Sequence, residues 1–176
     1  MLEMFGNWRK LPNMFCDLSD LYKKQKELDE EIARNHHVTY ESTRNKRTLA
    51  LLVELGEFAN ATRTFKYWSN KGAESKERIL DEFADGLHFL LSLGIDQGYE
   101  VDSFEVMDDD RSLTDTLLET YNLTSIFYSS QTQSNYLRAF ESYLKCLFKL
   151  GYSWQEAKDA YYLKLKENHV RQETNY

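Results

Sequence analysis

Hydrophobic residues recur at helical spacing along most of the chain, and only one proline and seven glycines interrupt them. The pattern predicts helices over about 19–35, 44–67, 75–98, 113–129 and 135–150, and a last helix after Gly151. We expect Ser75 to cap the third helix, and Ser153 with Glu156 has capping-box spacing before the last helix. The acidic segment 101–112 is predicted to be a solvated loop, and no alternation predicts a strand. The expected fold class is therefore all-α, a helical bundle of about five to six helices.

Four carboxylates lie inside two of the most apolar stretches. Glu54 and Glu57 belong to TLALLVELGEFANA, while Glu82 and Asp85 belong to RILDEFADGLHFLLSLG. Each pair is spaced i, i+3, which places both side chains on one helical face, a turn apart. Two such helices side by side would bring four like charges together, and these coexist most easily around a hard, oxygen-preferring cation such as Mg²⁺. The pattern indicates a metal site in a helical bundle, and with it phosphate chemistry.

The surroundings of the acids favour a buried cluster over a solvated face. On the third helix, Glu82, Asp85 and Phe89 fall together, opposite a stripe of leucines. A solvated face is the usual role of a single ExxE pair, but two pairs in apolar runs argue against it. Asp81 is close enough to assist the cluster. The second helix is apolar around most of its circumference, which predicts a central position in the bundle.

Composition narrows the functional classes. With 41% hydrophobic and 14% aromatic residues, the chain is expected to fold rather than to be disordered. A net charge of −7 argues against nucleic acid and anionic membranes as partners. Cys16 and Cys146 have no metal or redox spacing, which suits a reducing compartment. The chain shows neither an apolar run of spanning length nor a signal-peptide pattern, so we expect a cytoplasmic protein.

At this point the residues show a family resemblance. LLVELGEFANATRTFKYWS followed by ILDEFADGLHFLLSLG resembles the dimeric dUTPases of Gram-positive bacteria and their phages. This branch belongs to the all-α, MazG-like nucleoside triphosphate pyrophosphatases. The segments LYKKQKELDEEI and AYYLKLKENHVRQETNY resemble the branch's substrate-base helix and tail motif. The chain departs from the family pattern at Asp29, where an Asn is common, and at Asn175-Tyr176, where Gly-Tyr is frequent.

The resemblance implies a homodimeric hydrolase that converts dUTP, and also dUDP, to dUMP. It implies two or more Mg²⁺ ions per site, for which Mn²⁺ can substitute. The implied metal ligands are Glu54, Glu57, Glu82 and Asp85. Either Glu54 or Glu57 would accept a proton from the attacking water, with Glu54 preferred. Which phosphorus is attacked stays open.

The last helix offers basic and polar groups for the substrate. Tyr161, Lys164, Asn168 and Arg171 recur at spacings of 3, 4 and 3, which lines them up on one face. Lys164 and Arg171 would clamp phosphate oxygens, and the tail would close over the substrate. The alternative is a solvated polar face.

The base-binding residues come from other segments. Gln25 both donates and accepts hydrogen bonds, which suits the edge of uracil, and Asp29 one turn later would orient it. Phe89 is a candidate for stacking on the base. Trp68 is predicted either to line the pocket or to pack in the core, and Lys66 either to reach phosphate or to be exposed.

Several alternatives remain at this stage. Asp85 and His88 imitate half of the Glu-x-x-His motif of di-iron bundles, although His88 is more typical of a hydrogen-bonded structural residue. A second alternative is a related pyrophosphatase that acts on another nucleotide, such as dCTP. A third is a non-catalytic helical interaction protein. We expect one domain over 1–176, with metal-site helices at 17–100, the acidic loop at 101–112, and C-terminal helices and tail at 113–176.

Overall fold

The computed structural model describes residues 13–174. Within this range lie six α-helices and two short strands. In chain order they are β1 Met14–Asp17, α1 Ser19–His36, α2 Tyr40–Thr62, α3 Lys76–Gln97, β2 Ser103–Val106, α4 Leu113–Ser129, α5 Gln133–Lys149 and α6 Trp154–Glu173. The predicted all-α fold class is confirmed. No helix among the described residues is both long and apolar enough to span a bilayer.

Helix ends follow the capping residues that the sequence offers. Ser75 accepts a hydrogen bond from the backbone N–H of Arg78, and α3 ends at Gly98, whose φ of 69° suits glycine. Ser153 and Glu156 form the predicted capping box of α6. These predicted boundaries are confirmed.

The predicted bounds of α2 are wrong at both ends. The helix begins four residues earlier than expected, because Thr39 and Ser42 form a capping box. It ends at Thr62, because Arg63 adopts a left-handed conformation with a φ of 55°. The aromatic segment that follows is therefore a connection rather than a last helical turn.

The central helix of the bundle is α3, not α2 as predicted. Nearly every side of α3 is buried, and it packs against α1, α2, α5 and α6. In contrast, Leu49 and Val53 of α2 are 64% and 49% exposed. The two helices run antiparallel: Arg44 near the start of α2 pairs with Asp96 at the end of α3, with Nη2 and Oδ1 2.8 Å apart.

Strands β1 and β2 form a small antiparallel sheet, in which Met14 faces Val106 and Asp17 faces Ser103. The prediction of no strand is wrong, as is the prediction of a loop over 103–106. Four-residue strands are too short to show a period in the sequence, and their hydrogen bonds come from a distant segment.

Two tyrosines of α5 hold α3 in place. Tyr143 donates a hydrogen bond to the carbonyl oxygen of Phe83 at 2.7 Å, and Tyr136 donates to that of Leu90 at 3.1 Å. Each hydroxyl reaches the α3 backbone where a glycine leaves space, since a Cβ at Gly86 or Gly94 would overlap the tyrosine. The helix that contributes Glu82 and Asp85 is thus rigidly positioned.

Candidate functional site

Three of the four predicted ligands converge where α2 packs on α3. Glu54, Glu82 and Asp85 each offer one carboxylate oxygen, and these oxygens lie within 4.8 Å of one another. Glu57 lies outside this group, although it lines a cavity together with Glu82. The group contains only hard oxygen donors, so it fits Mg²⁺ and offers nothing that a softer metal would need.

Burial and mutual repulsion perturb the acids. Desolvation raises the pKa of Glu54 to about 7, and the charges of Asp85, Glu57 and Glu82 contribute to the rise. Burial likewise raises the pKa of Glu82 to about 7, although Arg78 opposes the shift. The pKa of Asp85 is also raised by burial, against the effect of Lys164. Burial and mutual repulsion thus disfavour the charged forms of Glu54 and Glu82 near neutral pH, a condition that a bound cation relieves.

Two basic side chains partly neutralise the cluster. Lys164 Nζ lies 2.6 Å from Asp81 Oδ1 and 2.9 Å from Asp85 Oδ2. Burial disfavours the charged form of Lys164, but hydrogen bonds to these two acids outweigh it and raise the lysine pKa. Arg78 pairs with Glu82 and, at 2.8 Å, with Asp81. Asp81 therefore links both cations, close to the ligands as the sequence suggested.

The carboxylates separate two cavities. The larger, of about 510 Å³, is bounded by α1, α2, α3 and α6, and both Glu54 and Asp85 line it. The smaller, of about 380 Å³, is lined by Glu57 and Glu82. Its wall is polar and includes Asn60, Glu74 and Arg78. Two of the four predicted metal ligands therefore line each cavity. A molecule long enough to occupy both cavities would lie against all four carboxylates.

A hydrogen-bonded chain forms the inner end of the larger cavity. Gln25 donates through Nε2 to Asp29 Oδ1 at 2.8 Å. Gln25 Oε1 accepts from Tyr161 Oη at 3.2 Å and lies 2.6 Å from His88 Nδ1. Because this oxygen can only accept, Nδ1 bears the hydrogen, and burial lowers the His88 pKa to about 3, so the ring is neutral. The chain fixes the orientation of the Gln25 amide.

The ring of His88 contacts Gln25 and Tyr161 of this hydrogen-bonded series rather than the carboxylates. It stacks on Tyr161 with centroids 4.2 Å apart. Within residues 13–174, His88 Nε2 is the one buried side-chain polar atom without a hydrogen-bond partner. The carboxylate group includes no histidine among the described residues, which matches the structural role expected of His88 and disfavours the di-iron alternative.

The remaining cavity residues are placed as follows. Asp29 also accepts from the Tyr40 hydroxyl at 3.1 Å, and burial raises the pKa of its carboxyl. Phe89, Asn168 and Arg171 line the same cavity. Arg171 Nη1 donates to Asn168 Oδ1 at 3.2 Å. The structure thus brings Asp29, Phe89 and two of the four predicted α6 residues to one cavity, whereas Tyr161 and Lys164 are not part of its lining.

Lys66 and Trp68 lie elsewhere. Trp68 is 65% exposed, and its ring packs against those of Phe65 and Tyr67. Lys66 hydrogen-bonds to Asn60 and sits over the Phe65 ring. Neither lines the two cavities described, although Asn60, the partner of Lys66, lies in the wall of the smaller one.

Sequence reasoning missed two arginines near the acids. Arg47 lines the larger cavity, and its guanidinium donates to Ser92 O at 3.0 Å and to Asp96 Oδ2 at 2.7 Å. Its spacing of seven residues from Glu54 places both on one face of α2, a signal that was available. Arg78 lines the smaller cavity and stands four residues before its partner Glu82, a helical ion-pair spacing.

This all-α bundle sets an oxygen-only carboxylate group between two cavities, an arrangement that fits a helical hydrolase of phosphorylated substrates. A family model described as dUTPase matches residues 17–176, and the chain belongs to this family. A comparison with curated proteins finds no match for the chain. The family hydrolyses dUTP to dUMP and pyrophosphate and generally uses Mg²⁺. The predicted enzyme class, a nucleotide diphosphatase, is confirmed.

Proposed function

We propose that this protein hydrolyses dUTP, and also dUDP, in a Mg²⁺-dependent reaction at the two-cavity site. The observation that supports this is the position of the acids: Glu54 and Asp85 face the larger cavity, and Glu57 and Glu82 face the smaller one. A nucleotide with its nucleoside in the larger cavity and its terminal phosphates in the smaller one would present the scissile bond to all four carboxylates.

The proposed metal ligands are Glu54, Glu57, Glu82 and Asp85. Two ligand pairs on opposite cavities suit two Mg²⁺ ions per site, and Mn²⁺ should substitute because it accepts the same oxygen donors. When bound, such ions neutralise phosphate charge and lower the pKa of coordinated water. Glu54 is the preferred proton acceptor, with Glu57 as the alternative.

The inner end of the larger cavity would bind the base. With one Gln25 amide hydrogen held by Asp29, the other remains available to donate to a uracil carbonyl. Asp29 keeps the amide from rotating, so the donor is already oriented before substrate binds. Phe89 would provide the apolar surface against the ring.

Residues of α6 would bind sugar and phosphate. Lys164 already lies at the edge of the carboxylate group, and Arg171 with Asn168 lines the larger cavity. Tyr161 holds Gln25 and so acts on the base indirectly. We propose that the end of this helix closes over bound nucleotide; Asn175-Tyr176 lies outside the described residues. Lys66 and Trp68 do not line this cavity and are not included among the proposed contacts.

We further propose that the chain forms one domain, works as a homodimer and acts in the cytoplasm. Exposed apolar side chains of α2 and α4, among them Val53 and Leu118, offer a surface for a second copy. Cys16 and Cys146 are free and buried, in keeping with a reducing compartment.

The test is pyrophosphate and phosphate release from dUTP, dUDP, dCTP and dTTP, with Mg²⁺ and with EDTA. We expect turnover of dUTP and dUDP only with the metal. Asp85→Asn should abolish it, whereas Asp159→Asn, on the exposed side of α6, should leave it unchanged. No release from any nucleotide would refute the proposal, and a preference for dCTP would assign the protein to a neighbouring branch.

A further inference from the structure

Arg78 has an unusual position for a cation. It lies in the first turn of α3, where its backbone N–H donates to the Ser75 cap. The helix dipole disfavours positive charge at this end of a helix. Its guanidinium instead contacts three carboxylates: Glu82, Asp81 at 2.8 Å and Glu74 at 3.8 Å. The acids therefore explain where this side chain lies.

The contact with Glu82 occupies a candidate metal ligand. The Glu82 side chain is only 3% exposed, so the guanidinium is a main source of positive charge for it. A divalent ion bound by the same carboxylate would sit next to the guanidinium, and the two like charges would repel each other. The Arg78 side chain is 48% exposed, so it can leave without disturbing the core.

The smaller cavity offers Arg78 a second partner. Arg78 lines this cavity together with Glu57 and Asn60. After leaving Glu82, its guanidinium would remain beside whatever occupies the cavity. A planar fork of N–H donors matches phosphate oxygens in a bidentate way. Asn60 would add an amide donor on the same wall.

We propose that Arg78 exchanges partners during binding of metal and nucleotide. It holds Glu82 in the metal-free site, yields that carboxylate to the divalent ion, and then binds the terminal phosphates of the nucleotide in the smaller cavity. The inference rests on the proposed function, because it takes Glu82 as a metal ligand. It makes metal and pyrophosphate binding mutually supportive, since each removes a competitor of the other.

The test compares Arg78→Gln with Arg111→Gln. Gln is well suited to the third helical position after a Ser cap, so the fold should persist, and circular dichroism checks this. Arg111 has a similarly exposed side chain, 49%, but pairs with Asp109 and Glu119 away from the site. The Arg111→Gln variant therefore measures the general effect of removing one positive charge.

Two affinities are measured by calorimetry: Mn²⁺ without nucleotide, and inorganic pyrophosphate at saturating Mg²⁺. We expect Arg78→Gln to bind Mn²⁺ about tenfold more tightly and pyrophosphate about tenfold more weakly than Arg111→Gln, the size of one charged hydrogen-bond contact. If Arg78→Gln binds either Mn²⁺ or pyrophosphate with the same affinity as Arg111→Gln, the proposed exchange of partners is wrong. If the wild-type protein binds no Mn²⁺, the metal site itself is refuted, which is a distinguishable result.

Discussion

Replacing Glu54 by Gln should stabilise the metal-free protein while abolishing turnover. In the folded chain, burial and neighbouring acids raise the pKa of Glu54 from an ordinary 4.5 to about 7. A raised carboxyl pKa means that stability is complete below pH 4.5 and is lost as the pH rises through 7. At pH 8 the wild-type protein therefore holds an unfavourable charge that a neutral amide at this position would lack.

The magnitude follows from the size of the shift. The difference between 7 and 4.5 is 2.5 pKa units, which corresponds to about 3.4 kcal/mol as an upper limit. Glu54 is only half-buried, so solvent screening reduces this to about 1–2 kcal/mol. For a chain of this length the Tm should rise by about 2–8 °C at pH 8.

Thermal unfolding in EDTA at pH 5 and pH 8 measures the effect. The gain should be clear at pH 8 and small at pH 5, where wild-type Glu54 is protonated in the folded state. Glu119→Gln is the control: this partly exposed glutamate of α4 lies 3.9 Å from Arg111, and its replacement should change stability by less than about 0.5 kcal/mol. With Mg²⁺ the order should reverse, because only the wild-type protein keeps the full ligand set. A variant less stable than wild type at pH 8 in EDTA, or one with an equal gain at both pH values, would refute the electrostatic argument.

Further outcomes are expected. Gly86→Ala should destabilise the fold by about 2–3 kcal/mol in denaturant unfolding, because its Cβ overlaps the Tyr143 hydroxyl; Gly72→Ala, with open space around it, should not. The affinity for Mg²⁺, measured by calorimetry, should fall as the pH drops below 7, because ligands with pKa values near 7 become protonated; constant affinity from pH 8 to 6 would contradict this. Gln25→Ala should raise KM for dUTP far more than it lowers kcat, and equal effects on both would argue against base recognition. Light scattering should show a dimer, and Val53→Asp should weaken it; a monomeric wild-type protein would exclude this surface as an interface.

The elements that could be predicted are those specified by neighbouring residues. The ends of α3 and the start of α6 follow from Ser75, Gly98 and the Ser153 capping box. The end of α2 could not be predicted in this way, because Arg63 adopts the left-handed conformation without a glycine or proline to signal it. Its side chain is instead held by the following loop, through Ser69 Oγ at 2.7 Å. That contact is made within an irregular connection, and hydrophobic periodicity carries no information about such a hydrogen bond.

The same reasoning explains the missed sheet. β2 lies in an acidic segment whose charges suggest solvent, yet Val106 within it is fully buried opposite β1. Leu18 adds a backbone hydrogen bond to Asp102 at 2.8 Å. Pairing between segments so far apart depends on where the bundle places them, and a local pattern carries no information about it.

The site illustrates a different limit. The i, i+3 spacing groups the acids by helix, as Glu54 with Glu57 and Glu82 with Asp85. The structure groups them by cavity instead, because α2 and α3 are antiparallel and the first acid of one helix lies beside the second acid of the other. Each cavity therefore receives one ligand from each helix. This crossing places a carboxylate from α2 and one from α3 at each cavity, an arrangement that neither helix alone could specify.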